Sequence, residues 1–386
     1  MRIGYLYDMQ AYPPRGGNHV HAGELVQGFL ANGHDVFVVN DPTMPGVQNF
    51  SDSEDDLTRF LSNIDILYIR IDARFIAEWR AVNFCMAHAE RRPVVWEINS
   101  PADESLAFSW LSGRNLSGEA ESAFRKFRRW QHAFRKRPGI YFEERARREL
   151  AKRVDVAICV SSALADYARD DLGIAEAVVM PNGGPLVDLA EIESRRAKSR
   201  SGSDEFRVLY SGSAIYPWQG LDYLAAVIRL AQTEAPDISF VLAVNQKHHN
   251  LPDSDRIVIL EKLDREKILD AICGADVCVS IHPQYPWAKH GFHNSPMKLF
   301  EYMACARASV TSDHGQMAEL IRDGQDGLLC QNDPVEILAK LKSLRDDPEL
   351  TQQLGMNAWQ RIQQEFSWRN HVVPKTLAVF ESKLAS

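Results

Sequence analysis

The chain has 386 residues, about two and a half times a domain length of roughly 150 residues, which predicts two domains. Hydrophobic residues make up 45% and charged residues 25%, with 18 Pro and 22 Gly, so disordered, fibrous and low-complexity classes are excluded. A formal net charge of -8 excludes a molecule whose whole surface binds polyanions, nucleic acid included.

The six cysteines are scattered through apolar runs without a C-x-x-C pair, the usage of a reduced, cytoplasmic chain. The first apolar stretch, Ile3 to Tyr7, closes at Asp8 and is too short for the core of a signal peptide. No apolar stretch reaches the roughly 20 residues that span a bilayer, so any membrane is met from the side, at its inner face.

In chain order, short β-branched or aromatic runs predict strands at Ile3 to Tyr7, Asp35 to Asn40, Ile64 to Arg70, Pro93 to Asn99, Val154 to Val160 and Val178 to Met180. Between the first two, Ala22, Leu25, Val26, Phe29 and Leu30 recur at helical spacing, and Gly33 supplies the stop. The stretch 191–205 is polar and Ser-rich with no period that buries a face, and it predicts a linker. A second series follows at Phe206 to Tyr210, Ile238 to Val244, Arg256 to Leu260, Val277 to Ile281, Ala308 to Thr311 and Gly327 to Cys330, with helical patterns between. Asp333-Pro334 then caps a mainly helical tail. Strands alternating with helices predict α/β architecture, two Rossmann-like doubly wound domains with ligands in the cleft beyond the strand ends.

Three loops sit at such strand ends. In the first, Gly16-Gly17 lets backbone amides approach an anion, without the G-x-G-x-x-G dinucleotide fingerprint. The second, Gly212-Ser213 through Gln219-Gly220, follows the first strand of the second half. In the third, His293-Asn294-Ser295-Pro296-Met297-Lys298, Ser295 is expected as N-cap and Pro296 as first helical residue, and Lys298 and Glu301 share a face. Each loop alone reads first as an ordinary turn or cap; their common position favours a phosphate site and nucleotide. The other histidines, His248, His249, His282, His290 and His314, lack metal-ligand spacing and predict no metal site.

With Gly33-His34, Val160-Ser161, Pro181-Asn182-Gly183, Ser295-Pro-Met-Lys-Leu-Phe-Glu-Tyr-Met-Ala, Ser312-Asp313 and Phe366-Ser367-Trp368, these loops resemble glycosyltransferase family 4, retaining enzymes of GT-B fold. The resemblance implies an acceptor-side domain at 1–190, a nucleotide-sugar domain at 206–365, and a closing helix at 366–386 that crosses back. It implies that Glu301 holds the donor ribose, and that Lys298 with amides near Pro296 and Gly17 holds the diphosphate of UDP or GDP. Base contacts fall to backbone near Lys262 and Leu263, with no cofactor and no metal. His293 stands where the family has Glu, Ser213 and Gln219 stand where it has Arg and Lys, and Asn99 stands where it has a sugar-contacting His. Asn99 cannot act as a base, which a front-face mechanism does not require. The expected acceptor is a carbohydrate or lipid-linked hydroxyl, with Glu97 a candidate beside it. A sugar-nucleotide epimerase and a non-catalytic nucleotide-sugar binder remain as rivals.

The stretch 124–148 carries ten basic and two acidic residues, interleaved with Phe124, Phe127, Trp130, Phe134, Tyr141 and Phe142. Phe124, Phe127, Trp130 and Phe134 fall on one helical face, which reads either as an anchor on an anionic membrane, with Arg128, Arg129 and Trp130 on that side, or as a core-facing stripe with a cationic back.

Overall fold

The computed structural model describes residues 1–14, 16–72, 74–90, 92–111, 122–200, 205–248 and 250–385. Arg15 and His249 lie outside the described residues, as do 201–204 of the predicted linker.

Among the described residues the chain builds two parallel sheets. The first contains β1 (Arg2–Leu6), β2 (Asp35–Val39), β3 (Gln48–Phe50), β4 (Ile66–Ile71), β5 (Val94–Ile98), β6 (Val156–Cys159) and β7 (Ala177–Val179), in the order β3-β2-β1-β4-β5-β6-β7. The second contains β8 (Phe206–Gly212), β9 (Ile238–Val244), β10 (Ile257–Glu261), β11 (Val277–Ser280), β12 (Ala308–Ser312) and β13 (Leu328–Cys330), in the order β10-β9-β8-β11-β12-β13. Each sheet reverses direction of growth once, between β1 and β4 and between β8 and β11, and those switch points are where this architecture takes ligands.

Helices cover both faces, so the central strands are buried along their length and read as apolar runs. All six residues of β4 are buried, including Arg70. One face of the first sheet packs Leu67, Ile69, Trp96 and Ile98 against Leu57, Phe60, Val82 and Met86. The other face packs Ile3, Tyr5 and Tyr68 against Phe29 and the far end of the chain, Trp368, Val373, Leu377 and Phe380. Phe380 meets Phe29 and Tyr68 at ring distances of 5.7 and 5.0 Å. Residues Gly183 and Gly184 pass close by, and a side chain on Gly183 would strike Trp368 at 2.8 Å.

The predicted linker is corrected. Leu189–Ser199 is a helix with one buried apolar residue, Ile192, seated in the core of the second domain. Ion pairs replace an apolar face: Arg195 reaches Glu266 and Asp270, each at 2.6 Å, and Arg196 reaches Asp276 at 2.8 Å.

Candidate active site between the two domains

The helix Gly17–Ala31 begins directly beyond β1, and its first residue faces the first residue of the helix Met297–Ala304 across the cleft. A side chain on Gly17 would meet Met297 Cγ at 3.3 Å. Two helix N-termini, with their free N–H groups and positive dipole ends, therefore converge on one gap. Gly16 is the N-cap of the first, in extended conformation and with no side-chain cap bond.

The cap of the second helix differs from expectation. Pro296 is its N-cap and makes no side-chain bond, while Ser295 Oγ accepts from the backbone N–H of Asn182 at 3.3 Å. Proline locks the entry angle but leaves the first helical amides uncapped. The Asn182 amide donates to the Ser295 carbonyl at 2.9 Å, and Ser161 Oγ donates to the His293 carbonyl at 2.7 Å. The loop carrying His293 through Pro296 is thus held by the first domain.

Lys298 is 7% exposed, and its Nζ has no hydrogen-bond partner. It lies 4.1 Å from the ring centroid of Tyr210 and 3.0 Å from where a Gly212 side chain would begin. Gln219 Oε1 borders the same point at 3.0 Å. Gly212, Gln219 and Lys298 therefore meet at the end of β8, with Gly212 at φ 151° and Gly220 at φ 71°. Ser213 turns away: its Oγ accepts from Ile215 N at 3.2 Å and faces Asn245. Burial lowers the Lys298 ammonium to about 7, against the opposing pull of Glu301. Burial also raises the Glu301 carboxyl, with Arg265 and Lys298 working against it. The two are not an exposed surface pair.

His293 is 2% exposed with Nε2 unpartnered, and burial lowers it to about 3, so the ring is neutral. It packs on Tyr285 at 5.0 Å, and Tyr285 donates to Asn294 Oδ1 at 3.2 Å. Leu263 and Lys262 follow β10, where Lys262 N donates to the Val244 carbonyl at 3.0 Å. Among the described residues no group of three or more His, Cys, Asp and Glu side chains is placed to hold a metal ion.

The structure also assembles a buried network that the sequence does not reveal. Glu97 is 1% exposed and accepts from Tyr5 Oη and Arg70 Nη1 at 2.6 Å each and from Asn99 Nδ2 at 2.5 Å, while His21 Nε2 lies 2.8 Å away. Burial works to raise this carboxyl, but the charges of His21 and Arg70 outweigh it and hold it well below the usual carboxylate range. Glu97 is therefore not presented to an acceptor, and Asn99 is committed to it. His21 Nδ1 faces Asn182 Oδ1 at 2.5 Å. Its two ring nitrogens thus lie between Glu97 on one side and Asn182 on the other. The path Glu97–His21–Asn182–Ser295 joins the end of β5 to the residue before the cap of the donor-side helix.

His282, treated in the sequence as an ordinary loop residue, ends β11 beside this site. Its Nδ1 lies 2.8 Å from the Trp218 carbonyl, and burial followed by the charge of Lys298 lowers it well below its ordinary value. His248, His290 and His314 are held by Asn250 N, Asp171 and the His282 carbonyl respectively.

Residues 15–186 match the family model described as Glycosyltransferase Family 4, and residues 205–347 match the one described as Glycosyl transferases group 1. Sucrose-phosphate synthase from Thermosynechococcus elongatus superposes with a TM-score of 0.71 at 16% identity, covering 100% of this chain and 99% of that one. The fold is GT-B. HepE from Anabaena, solved in complex with UDP, shares this GT-B arrangement with a TM-score of 0.68 at 17% identity over 99% of this chain and 100% of its own. The glycogen synthase of Mycobacterium tuberculosis is 27% identical over 233 residues, 57% of this chain and 52% of that protein. The chain spans about half the length of the curated relatives it matches. The two family matches support placing the chain among the GT-B glycosyltransferases.

Proposed function

We propose that the protein transfers a sugar from a nucleoside diphosphate sugar to a hydroxyl acceptor with retention of configuration. The observation that carries this reading is the meeting of two helix N-termini at Gly17 and Met297, with the buried, unpartnered ammonium of Lys298 beside Gly212. Positive partial charges fixed in a water-poor gap suit a diphosphate as it departs. Lys298 takes the place of the absent family cations at Ser213 and Gln219, and Glu301 receives the ribose hydroxyls.

In this reading the anomeric C–O bond to the diphosphate breaks as the acceptor oxygen bonds the same face of that carbon. The acceptor proton passes to the departing phosphate oxygen, so no protein base is required, in keeping with the engagement of Glu97 and Asn99 elsewhere. UDP is the preferred nucleotide, supported by the UDP complex of HepE. On the first domain a cavity of about 360 Å³ beyond β1 and β2 is lined by Asp8, Asn40, Arg74, Glu78 and Trp79 among others. Polar side chains around one indole suit a carbohydrate acceptor, free or lipid-linked. The acceptor-side unit ends at the start of the helix Leu189–Ser199, which joins the donor unit running to 365, and the helix Val373–Leu384 returns to the first; no metal or cofactor enters the scheme.

Thermal unfolding with UDP, GDP, ADP and their sugar conjugates tests it. Ligand at about 100 times its Kd adds roughly 2.7 kcal/mol to wild type and nothing to Glu301→Ala. Acceptor-dependent release of nucleotide then separates a transferase from an epimerase, which turns over donor alone, and from a scaffold, which binds without turnover. Absence of stabilisation by any nucleotide rejects the reading.

A further inference from the structure

Among the described residues, the helix Ala123–Ala151 is buried along one side. Ala133, Glu143 and Arg147 are buried, with Arg147 Nε on Glu143 at 2.7 Å and its other nitrogens on the carbonyls of Ser100 and Asp72. On the roughly opposite side, at 3.6 residues per turn, stand Phe124, Phe127, Trp130, Phe134, Tyr141 and Phe142, each between 54% and 68% exposed. The core-facing alternative is thereby excluded. Phe127, Trp130 and Phe134 stack on one another at 6.4 and 5.4 Å, a continuous aromatic ridge.

Arg125, Lys126, Arg128, Arg135, Arg137, Arg145 and Arg148 are exposed on the same helix. The stretch 124–148 carries eight net positive charges in a chain of net charge -8, so the rest carries sixteen net negative. A second copy would set one cationic ridge against another. An apolar ridge edged by cations matches the interface of a bilayer, where aromatic rings enter the headgroup level and each Lys or Arg near an anionic surface strengthens partition roughly fivefold.

The ridge also has a fixed relation to the cleft. The short helix Leu106–Leu111 lies against the other side of the same helix, with Lys136 Nζ on the Ser105 carbonyl at 2.8 Å and Ser109 Oγ 2.6 Å from His132 Nδ1. From that helix Phe108 reaches across to Trp218 at 4.9 Å, next to Gln219 of the donor loop. We infer that the aromatic ridge of Ala123–Ala151 docks the protein on an anionic bilayer and sets the cleft beside it, so that the acceptor hydroxyl belongs to a lipid or lipid-linked molecule. This inference rests on the transferase reading for the acceptor, and on the helix alone for the docking.

The test is sedimentation of the full chain with vesicles of phosphatidylcholine alone and of phosphatidylcholine with phosphatidylglycerol. Wild type is expected to bind the anionic vesicles, at least tenfold more weakly the neutral ones, and progressively less with added salt. The triple variant Phe124→Ser/Phe127→Ser/Phe134→Ser is expected to lose binding at least tenfold, with circular dichroism and nucleotide-induced stabilisation unchanged, because all three side chains lie outside the core. Failure of wild type to bind anionic vesicles at low salt, or equal binding by the variant, overturns the docking. A wild-type dimer that the variant dissociates would also overturn it and make the ridge a contact between copies. Nucleotide stabilisation measured on the same samples keeps the two readings apart: its loss with vesicle binding intact rejects the transferase and leaves the docking standing.

Discussion

Lys298 is the residue of the cleft whose charge depends most directly on the fold around it. Buried over Tyr210 without a hydrogen-bond acceptor, it titrates near 7 rather than at its ordinary 10.5. Between those values the unfolded chain holds a proton that the folded chain has released, so unliganded stability rises with pH across that window. A bound diphosphate reverses the preference and restores the ammonium. UDP binding is therefore expected to take up close to one proton at about pH 8, and to weaken by up to tenfold per pH unit above 7 until the liganded lysine itself titrates. Calorimetry in two buffers of different ionisation enthalpy measures the uptake. Lys298→Met should abolish it; the same proton count in the variant would assign the titration elsewhere.

His293 has a complementary part. Its neutral ring with a free Nε2 can accept from a sugar hydroxyl but cannot neutralise phosphate. His293→Ala is expected to weaken UDP-sugar binding about tenfold, the worth of one hydrogen bond, and to leave UDP binding within about twofold. Equal losses for both ligands would place the ring against the nucleotide instead.

Among the elements, the loop from Gly212 to Gly220 has the least freedom. Gly220 adopts a left-handed conformation, and a Cβ there would lie 1.9 Å from the Ile281 carbonyl oxygen. Gly220→Ala therefore pushes the start of the helix Leu221–Glu234 away from the end of β11. A loss of about 3 kcal/mol or more in urea unfolding is expected, with nucleotide binding lost alongside. The same scale shows what could be read beforehand. The twelve predicted strands are present because strands inside a parallel sheet must be apolar throughout and the edge strands β7, β10 and β13 still carry apolar runs, whereas β3 escaped because the edge strand Gln48–Phe50 holds a single apolar residue. The helix Leu189–Ser199 escaped because its partners are acidic residues some 70 positions later. His21 was invisible for the same reason, its partner Asn182 being 161 residues away. Motifs expose groups that act within one loop; networks closed by tertiary contacts leave no local spacing to find.

At the scale of the whole molecule the chain is not two beads on a string. The last helix, Val373–Leu384, completes the core of the first domain, so Phe380 belongs energetically with Phe29 and Tyr68 rather than with its neighbours in sequence. The preceding turn brings Trp368 edge-on to His21 at 5.2 Å, which ties this crossing to the Glu97–His21–Asn182–Ser295 path. Phe380→Ala is expected to cost about 3–5 kcal/mol, the penalty for emptying a buried aromatic site. In a calorimetric scan the loss should fall on the transition of the first domain, lowering it by roughly ten degrees. The transition that UDP raises, that of the second domain, should stay in place if the domains unfold separately. A joint fall of both transitions would show that the crossing helix and the polar path make them one cooperative unit. An unchanged scan would mean that the terminal helix contributes nothing to the first core, contrary to the complete burial of Phe380 there.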